Sequence, residues 1–180
     1  GLMIPKQMVF FWAGGALSWM RYMTVKSFCY YNPSWEVFVY TTEECETEDV
    51  WESQERRDFD TYVGKDHWLD LLELPITLRT WQPDEYDITG MSPVHQSDIF
   101  SYWFLLTQGG FYSDFDILYT SPLPLDILRE TLVVCPTQTS FTIGFLGATE
   151  GTEFYSDLLD IALEKTTNHV YQSAGVDSVY

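Results

Sequence analysis

The apolar run Gln7-Met8-Val9-Phe10-Phe11-Trp12 stops abruptly at Ala13-Gly14-Gly15, which predicts a buried strand meeting a turn. Ser18 is a helix cap, and the segment after it reads as helical to about Tyr31, where Asn32-Pro33 ends it. Residues 35–40 (WEVFVY) are rich in strand formers. Strand, helix and strand within the first forty residues make a βαβ unit, and so a parallel sheet with helices on its faces. Further on, a short strand is expected near Ile76–Trp81, then a polar loop through Pro83-Asp84-Glu85. Ser92-Pro93 opens a helix that runs to about Gln108 and stops at Gly109-Gly110. Phe111 to Tyr119 reads as one strand, ended by the turn Ser121-Pro122-Leu123-Pro124. Strands at 131–135 and 141–148 and a helix from about Glu153 to Lys165 follow. The prediction is one α/β domain over residues 1–180, with a mainly parallel twisted sheet flanked by helices.

Composition narrows the function. With 180 residues, 46% of them apolar and 17% aromatic, the chain can bury a sizeable core. Nine basic against 27 acidic residues give a formal charge of -18. Such a chain repels nucleic acid and anionic membranes at long range. A small anionic ligand stays feasible if a bound divalent cation reverses the local sign. Nine of the acidic groups crowd residues 43–60, which read as a solvated helix or loop. The cysteines, Cys29, Cys45 and Cys135, are far apart and odd in number, against a zinc site or a disulfide framework. No run approaches the roughly 18 apolar residues that span a bilayer, and the apolar start lacks a cleavage site. A cytoplasmic location is expected.

The chemistry concentrates in residues 92–118, SPVHQSDIFSYWFLLTQGGFYSDFDIL. On a helix, Asp98, Ser101 and Tyr102 share a face. On a strand, Tyr112, Asp114 and Asp116 share the face opposite Phe111, Ser113 and Phe115. Two carboxylates about 7 Å apart along one strand repel each other unless a cation joins them. A hard divalent ion with oxygen ligands, Mn2+ or Mg2+, does this and still leaves positions open for a diphosphate. His95, one turn before Asp98, is a secondary candidate. His67 and His169 have no ligand spacing, and no phosphate-binding glycine loop appears.

The stretch Ser97-Asp98-Ile99-Phe100-Ser101-Tyr102-Trp103-Phe104-Leu105, followed by Gly109-Gly110-Phe111-Tyr112-Ser113-Asp114-Phe115-Asp116, resembles a known family in spacing throughout. The family is the DXD sugar-binding glycosyltransferases, among them yeast outer-chain mannosyltransferases and the catalytic domains of large clostridial toxins. Their core reads roughly S-D-x-x-R-Y/L-x-x-L-x-x-x-G-G-x-Y-x-D-x-D. Their amino-terminal pattern I-P-K-x-I-H-x-x-W-x-G-G is similar to Ile4-Pro5-Lys6 and Phe11-Trp12-Ala13-Gly14-Gly15.

The resemblance implies a GT-A-like, Rossmann-like nucleotide-binding fold. It implies a metal-dependent enzyme that moves a sugar, with retention, from a UDP- or GDP-sugar to a glycan or protein acceptor. By position, Trp12 would stack on the donor's base, with the Phe11 and Ala13 backbone nearby, and Asp98 would hold sugar hydroxyls. Tyr112 would line the donor pocket, Asp114 would hold the ribose or a metal-bound water, and Asp116 would ligate the metal. The chain departs from the family at Ser101, where an Arg is usual, and at Ile143-Gly144-Phe145, where Asn is common. The family also continues beyond a turn echoed by Ser173-Ala174-Gly175, so a carboxyl-terminal truncation is expected. Two other readings compete. One is a catalytically silent module that binds nucleotide-sugars. The other is an aspartyl phosphotransferase, which Ile117-Leu118 fits poorly.

Overall fold

The computed structural model describes residues 3–42, 62–136 and 141–165. The acidic stretch at 43–60, His169 and the turn at 173–175 lie outside the described residues.

Six strands form one sheet in the order β3-β2-β1-β4-β6-β5. They are β1 (Gln7–Trp12), β2 (Glu36–Thr41), β3 (Thr77–Thr80), β4 (Gly110–Ser113), β5 (Leu132–Pro136) and β6 (Phe141–Ala148). β3, β2, β1 and β4 are mutually parallel, and β6 runs antiparallel between β4 and β5. The predicted βαβ unit is present: β1 pairs β2 from Gln7↔Glu36 to Trp12↔Thr41, with α1 (Trp19–Tyr31) between them. Ser18 caps α1 by accepting the Arg21 N–H, and Ser92 caps α2 (Pro93–Thr107) by accepting that of His95. Each cap satisfies a donor that the first helical turn leaves open. The last helix is α3 (Glu153–Lys165).

Side-chain alternation along β1 builds two cores. Met8, Phe10 and Trp12 pack under α1 with Val25 and Phe28. Val9, Phe11 and Ala13 pack under α2 and α3 with Ile99, Phe100, Tyr155 and Leu158. Phe11 stacks on Phe100 at 4.6 Å between ring centres. The α2–β4 connection is made by two glycines in left-handed conformations, Gly109 (φ +71°) and Gly110 (φ +112°). A Cβ on Gly110 would lie 2.7 Å from the Gln7 side chain and 3.0 Å from its carbonyl oxygen.

The expected strand from Phe111 to Tyr119 is corrected. β4 ends at Ser113, and the chain leaves the sheet in a turn at Phe115 and Asp116. Polar groups of α1 hold it there. Thr24 Oγ1 donates to the Phe115 carbonyl at 2.8 Å, Ser27 Oγ accepts the Tyr119 N–H at 3.0 Å, and Asn32 Oδ1 accepts the Leu123 N–H at 2.9 Å. Those hydrogen bonds replace the ladder that a longer β4 would have made.

Two predictions follow from this packing. Gly110→Ala should cost about 1–3 kcal/mol for the backbone conformation alone, and more from the clash with Gln7. Gly15→Ala meets nothing within 4 Å and should stay within about 0.5 kcal/mol of the wild type. Urea unfolding of the two variants checks the contrast. Burial pushes the Cys29 thiol up to about 11, so this cysteine should stay a thiol and resist a thiol reagent at pH 8 until denaturant is added; mass-spectrometric mapping of modified cysteines tests this.

Candidate active site at the carboxyl edge of the sheet

The four parallel strands end on one side, and open α/β sheets place ligands outside that edge. Asp114, Phe115 and Asp116 lie there, just past the end of β4. The Asp114 N–H is anchored to the Gly144 carbonyl at 2.8 Å. Asp114 is half-buried and Asp116 exposed, so neither carboxylate is lost in the apolar core.

Tyr112 donates from its hydroxyl to Asp114 Oδ1 at 2.8 Å. Burial, the charge of Asp114 and then that of Asp98 drive the Tyr112 phenol far above its ordinary range, against a smaller opposing pull from the Ser97 hydroxyl. It therefore remains a hydrogen-bond donor at any working pH. Asp98, buried on α2, also acts on Tyr102: burial first, and then the Asp98 charge, raise that phenol. Asp98, Tyr112 and Asp114 thus form one cluster at the carboxyl edge, between α2 and the turn after β4.

Three expectations change. Asp116 does not share a strand face with Asp114, because both stand beyond β4 in a turn. Trp12 points to the α1 side of the sheet and Tyr112 to the α2 side. The indole packs edge-on against Phe115 at 5.5 Å and bonds the Gly15 carbonyl through Nε1 at 2.8 Å. It is buried in the α1-side core. Ser101 is 2% exposed, and its hydroxyl donates to the Asp98 carbonyl at 2.8 Å, within its own helix. Phe11 and Ala13 are buried in the α2-side core. His95 is buried at the start of α2.

One residue near the turn escaped the sequence reading. The Arg21 guanidinium lies over the Trp12 ring at 5.2 Å, and Trp12 touches Phe115 between the two aspartates. Arg21 on α1 is thereby linked to the turn through the Trp12 ring. Its signal was present but short: Arg21 is the one basic group between Lys6 and Lys26.

The residues present fit a hard divalent cation. Among the described residues no group of three metal-ligating side chains converges, but a diphosphate-bridged cation needs only one or two carboxylates, with phosphates and water completing the shell. Asp116 is exposed and Asp114 is pre-oriented by Tyr112, which suits that arrangement.

An α/β sheet of this order, with carboxylates gathered at its carboxyl edge, defines a nucleotide-binding class of fold. The sequence profile described as "Glycosyltransferase sugar-binding region containing DXD motif" matches residues 19–134, more than half of the chain. The chain belongs to that glycosyltransferase family. No curated protein matches it by sequence. Among solved structures it is similar to the PaToxG glycosyltransferase, with a TM-score of 0.71 and 14% identity over 99% of this chain and 67% of that one. It is also similar to the UDP-bound glycosyltransferase domain of the YGT toxin (0.56, 10%, 97% and 66%). The glycosyltransferase GlyE of Streptococcus pneumoniae is a third (0.53, 19%, 95% and 41%). At such identities the likeness is one of fold. The chain spans about two thirds of the length of the first two and less than half of the third. No helix among the described residues is long and apolar enough to cross a membrane.

Tyr112→Phe isolates the support of Asp114. A hydrogen bond to a charged group contributes about 1.5–3 kcal/mol when buried and less when half-exposed. The variant should lose about 1 kcal/mol in urea unfolding at pH 7. Part of that loss should vanish at low pH, where a protonated Asp114 no longer prefers a donor. An equal loss at both pH values would show that the phenol contributes only packing.

Proposed function

We propose that the protein transfers a sugar from a nucleotide-sugar to an acceptor, with a divalent cation, Mn2+ or Mg2+, held at Asp114 and Asp116. The observation that carries this reading is the bond from Tyr112 to Asp114 beside buried Asp98, at the carboxyl edge of the sheet, in a chain of the DXD family. When bound, the cation would neutralise charge growing on the leaving diphosphate.

The chain's own groups divide the remaining work. Tyr112 fixes the rotamer of Asp114, so little reorganisation is needed when the donor arrives. Asp98, behind them on α2, is placed to accept hydrogen bonds from sugar hydroxyls. Retention of anomeric configuration is what the resemblance to the family implies, and no carboxylate nucleophile is assigned. A neighbour of this fold was solved with UDP, which makes UDP-sugars the first donors to try; GDP-sugars come next. The acceptor is a glycan or a protein.

A second reading, a silent donor-binding module, draws on one observation: Ser101 is turned into its own helix where the family has an arginine.

Asp116→Ala should leave the fold intact, because the residue is exposed, and should cut metal-dependent diphosphate release by about three decades, the equivalent of several kcal/mol at the leaving group. Asp98→Ala should lower the rate while nucleotide affinity survives. Diphosphate release from a set of nucleotide-sugars with manganese measures both. Wild-type turnover by Asp116→Ala would end the metal assignment, and tight donor binding without any turnover by the wild type would favour the silent module.

A further inference from the structure

The loop after β1 is held at two points. From within, the Trp12 indole N–H donates to the Gly15 carbonyl at 2.8 Å. From outside, both backbone groups of Leu17 are bracketed by a distant part of the chain. Asp66 Oδ1 accepts the Leu17 N–H at 2.8 Å, and the Leu17 carbonyl accepts the His67 N–H at 2.8 Å. Leu17 is buried and precedes the cap of α1, so its N–H lies outside the helical ladder and needs a partner of this kind. Asp66 Oδ1 also accepts the Trp68 N–H at 3.0 Å. One oxygen thus ties together two segments 49 positions apart.

The bracket is itself anchored. The His67 ring stacks on Tyr22 of α1 at 5.9 Å and bonds Asp70 at 2.7 Å, which ties residues 66–70 to the helix. Between the two attachments, Gly15 and Ala16 are exposed, and a Cβ on Gly15 would meet nothing within 4 Å.

The position of this loop gives the bracket a function. Strand order runs outward from β1 through β2 to β3, then returns to β4 on the other side of β1. The ends of β1 and β4 therefore flank the switch point, where open α/β sheets bind ligands. The loop stands on one side of it and the turn with Asp114 and Asp116 on the other, and the two are joined where Trp12 meets Phe115. A loop fixed before the ligand arrives loses less freedom on binding.

We infer that Asp66 is a positioning residue for the donor: it touches no donor atom and acts by holding the loop after β1 through Leu17. The inference rests on the donor reading above.

Two substitutions isolate the bond from the charge. Asp66→Ala and Asp66→Asn both remove the carboxylate charge, but only asparagine keeps an oxygen that can accept the Leu17 and Trp68 N–H groups. Asp66 is exposed, so both variants should fold. In Asp66→Ala, the Trp12 indole N–H should exchange with solvent about three- to tenfold faster by NMR. Affinity for UDP, titrated calorimetrically with manganese present, should fall by about three- to tenfold, as the loss of one hydrogen bond predicts, at unchanged stoichiometry. Asp66→Asn should bind UDP at least as tightly as the wild type. A role confined to stability would lower the stoichiometry and leave the affinity of the folded molecules unchanged, and that result would overturn the inference. So would an affinity lost in Asp66→Ala that Asp66→Asn does not restore. In both cases the donor reading stands. Wild-type protein that binds no UDP and no other nucleoside diphosphate would overturn the donor reading and this inference with it.

Discussion

The site depends on how the chain is held after it leaves β4. Three polar side chains of α1 and its carboxyl-terminal cap, Thr24, Ser27 and Asn32, are each more than nine-tenths buried. Together they satisfy a carbonyl and two N–H groups between Phe115 and Leu123. The Tyr119 hydroxyl closes the loop from within by bonding Ser113 Oγ at 2.6 Å. A loop this close to the core is tolerable only when its backbone groups are paired. Because the partners lie on a helix capped at both ends, the turn inherits the rigidity of α1. The carboxylates of Asp114 and Asp116 are thus displayed from a fixed support, as the proposed cation site requires.

Electrostatics then sorts the acidic groups of the chain. In a protein with a charge of -18, most of the described carboxylates are exposed to solvent and repel one another weakly. Asp98 is different, because it is buried next to two phenols whose own ionisation it suppresses. Protonated phenols are donors, and Tyr112 spends that capacity on Asp114. The cluster keeps negative charge at the crevice without adding to it, the condition that the proposed cation requires. Elsewhere the same physics is purely structural. His67 bonds Asp70 at 2.7 Å, and that bond, helped by the nearby Lys65 charge, holds the Asp70 carboxyl below its usual range.

Much of the fold was legible because local signals and global packing agree. Ser18 and Ser92 announced α1 and α2, Gly109-Gly110 announced the turn into β4, and the apolar run at Gln7–Trp12 announced a central strand. The site was legible in outline, since Asp98, Tyr112 and Asp114 do come together. What misled was the use of period two beyond Ser113. The residues from Asp114 to Tyr119 have the composition of a strand, but their hydrogen bonds go to Thr24 and Ser27, about ninety positions earlier in the chain. No local pattern reports that. The same limit applies to Trp81 and Arg21, whose places depend on contacts made across the sheet.

The two faces of the sheet have different tasks, and this clarifies the tryptophans. On the α1 side, Trp12, Phe10 and Phe115 form a wedge beneath the turn, with Phe10 and Trp12 each 5.5 Å from the Phe115 ring. An indole whose N–H is already bonded to Gly15 loses a good hydrogen bond if it rotates toward a ligand. On the α2 side, Trp81 is packed by Phe11, Phe100 and Trp103. The first indole therefore holds the turn, whereas the second fills the core between β3 and α2, and each is fixed by the face of the sheet on which it packs.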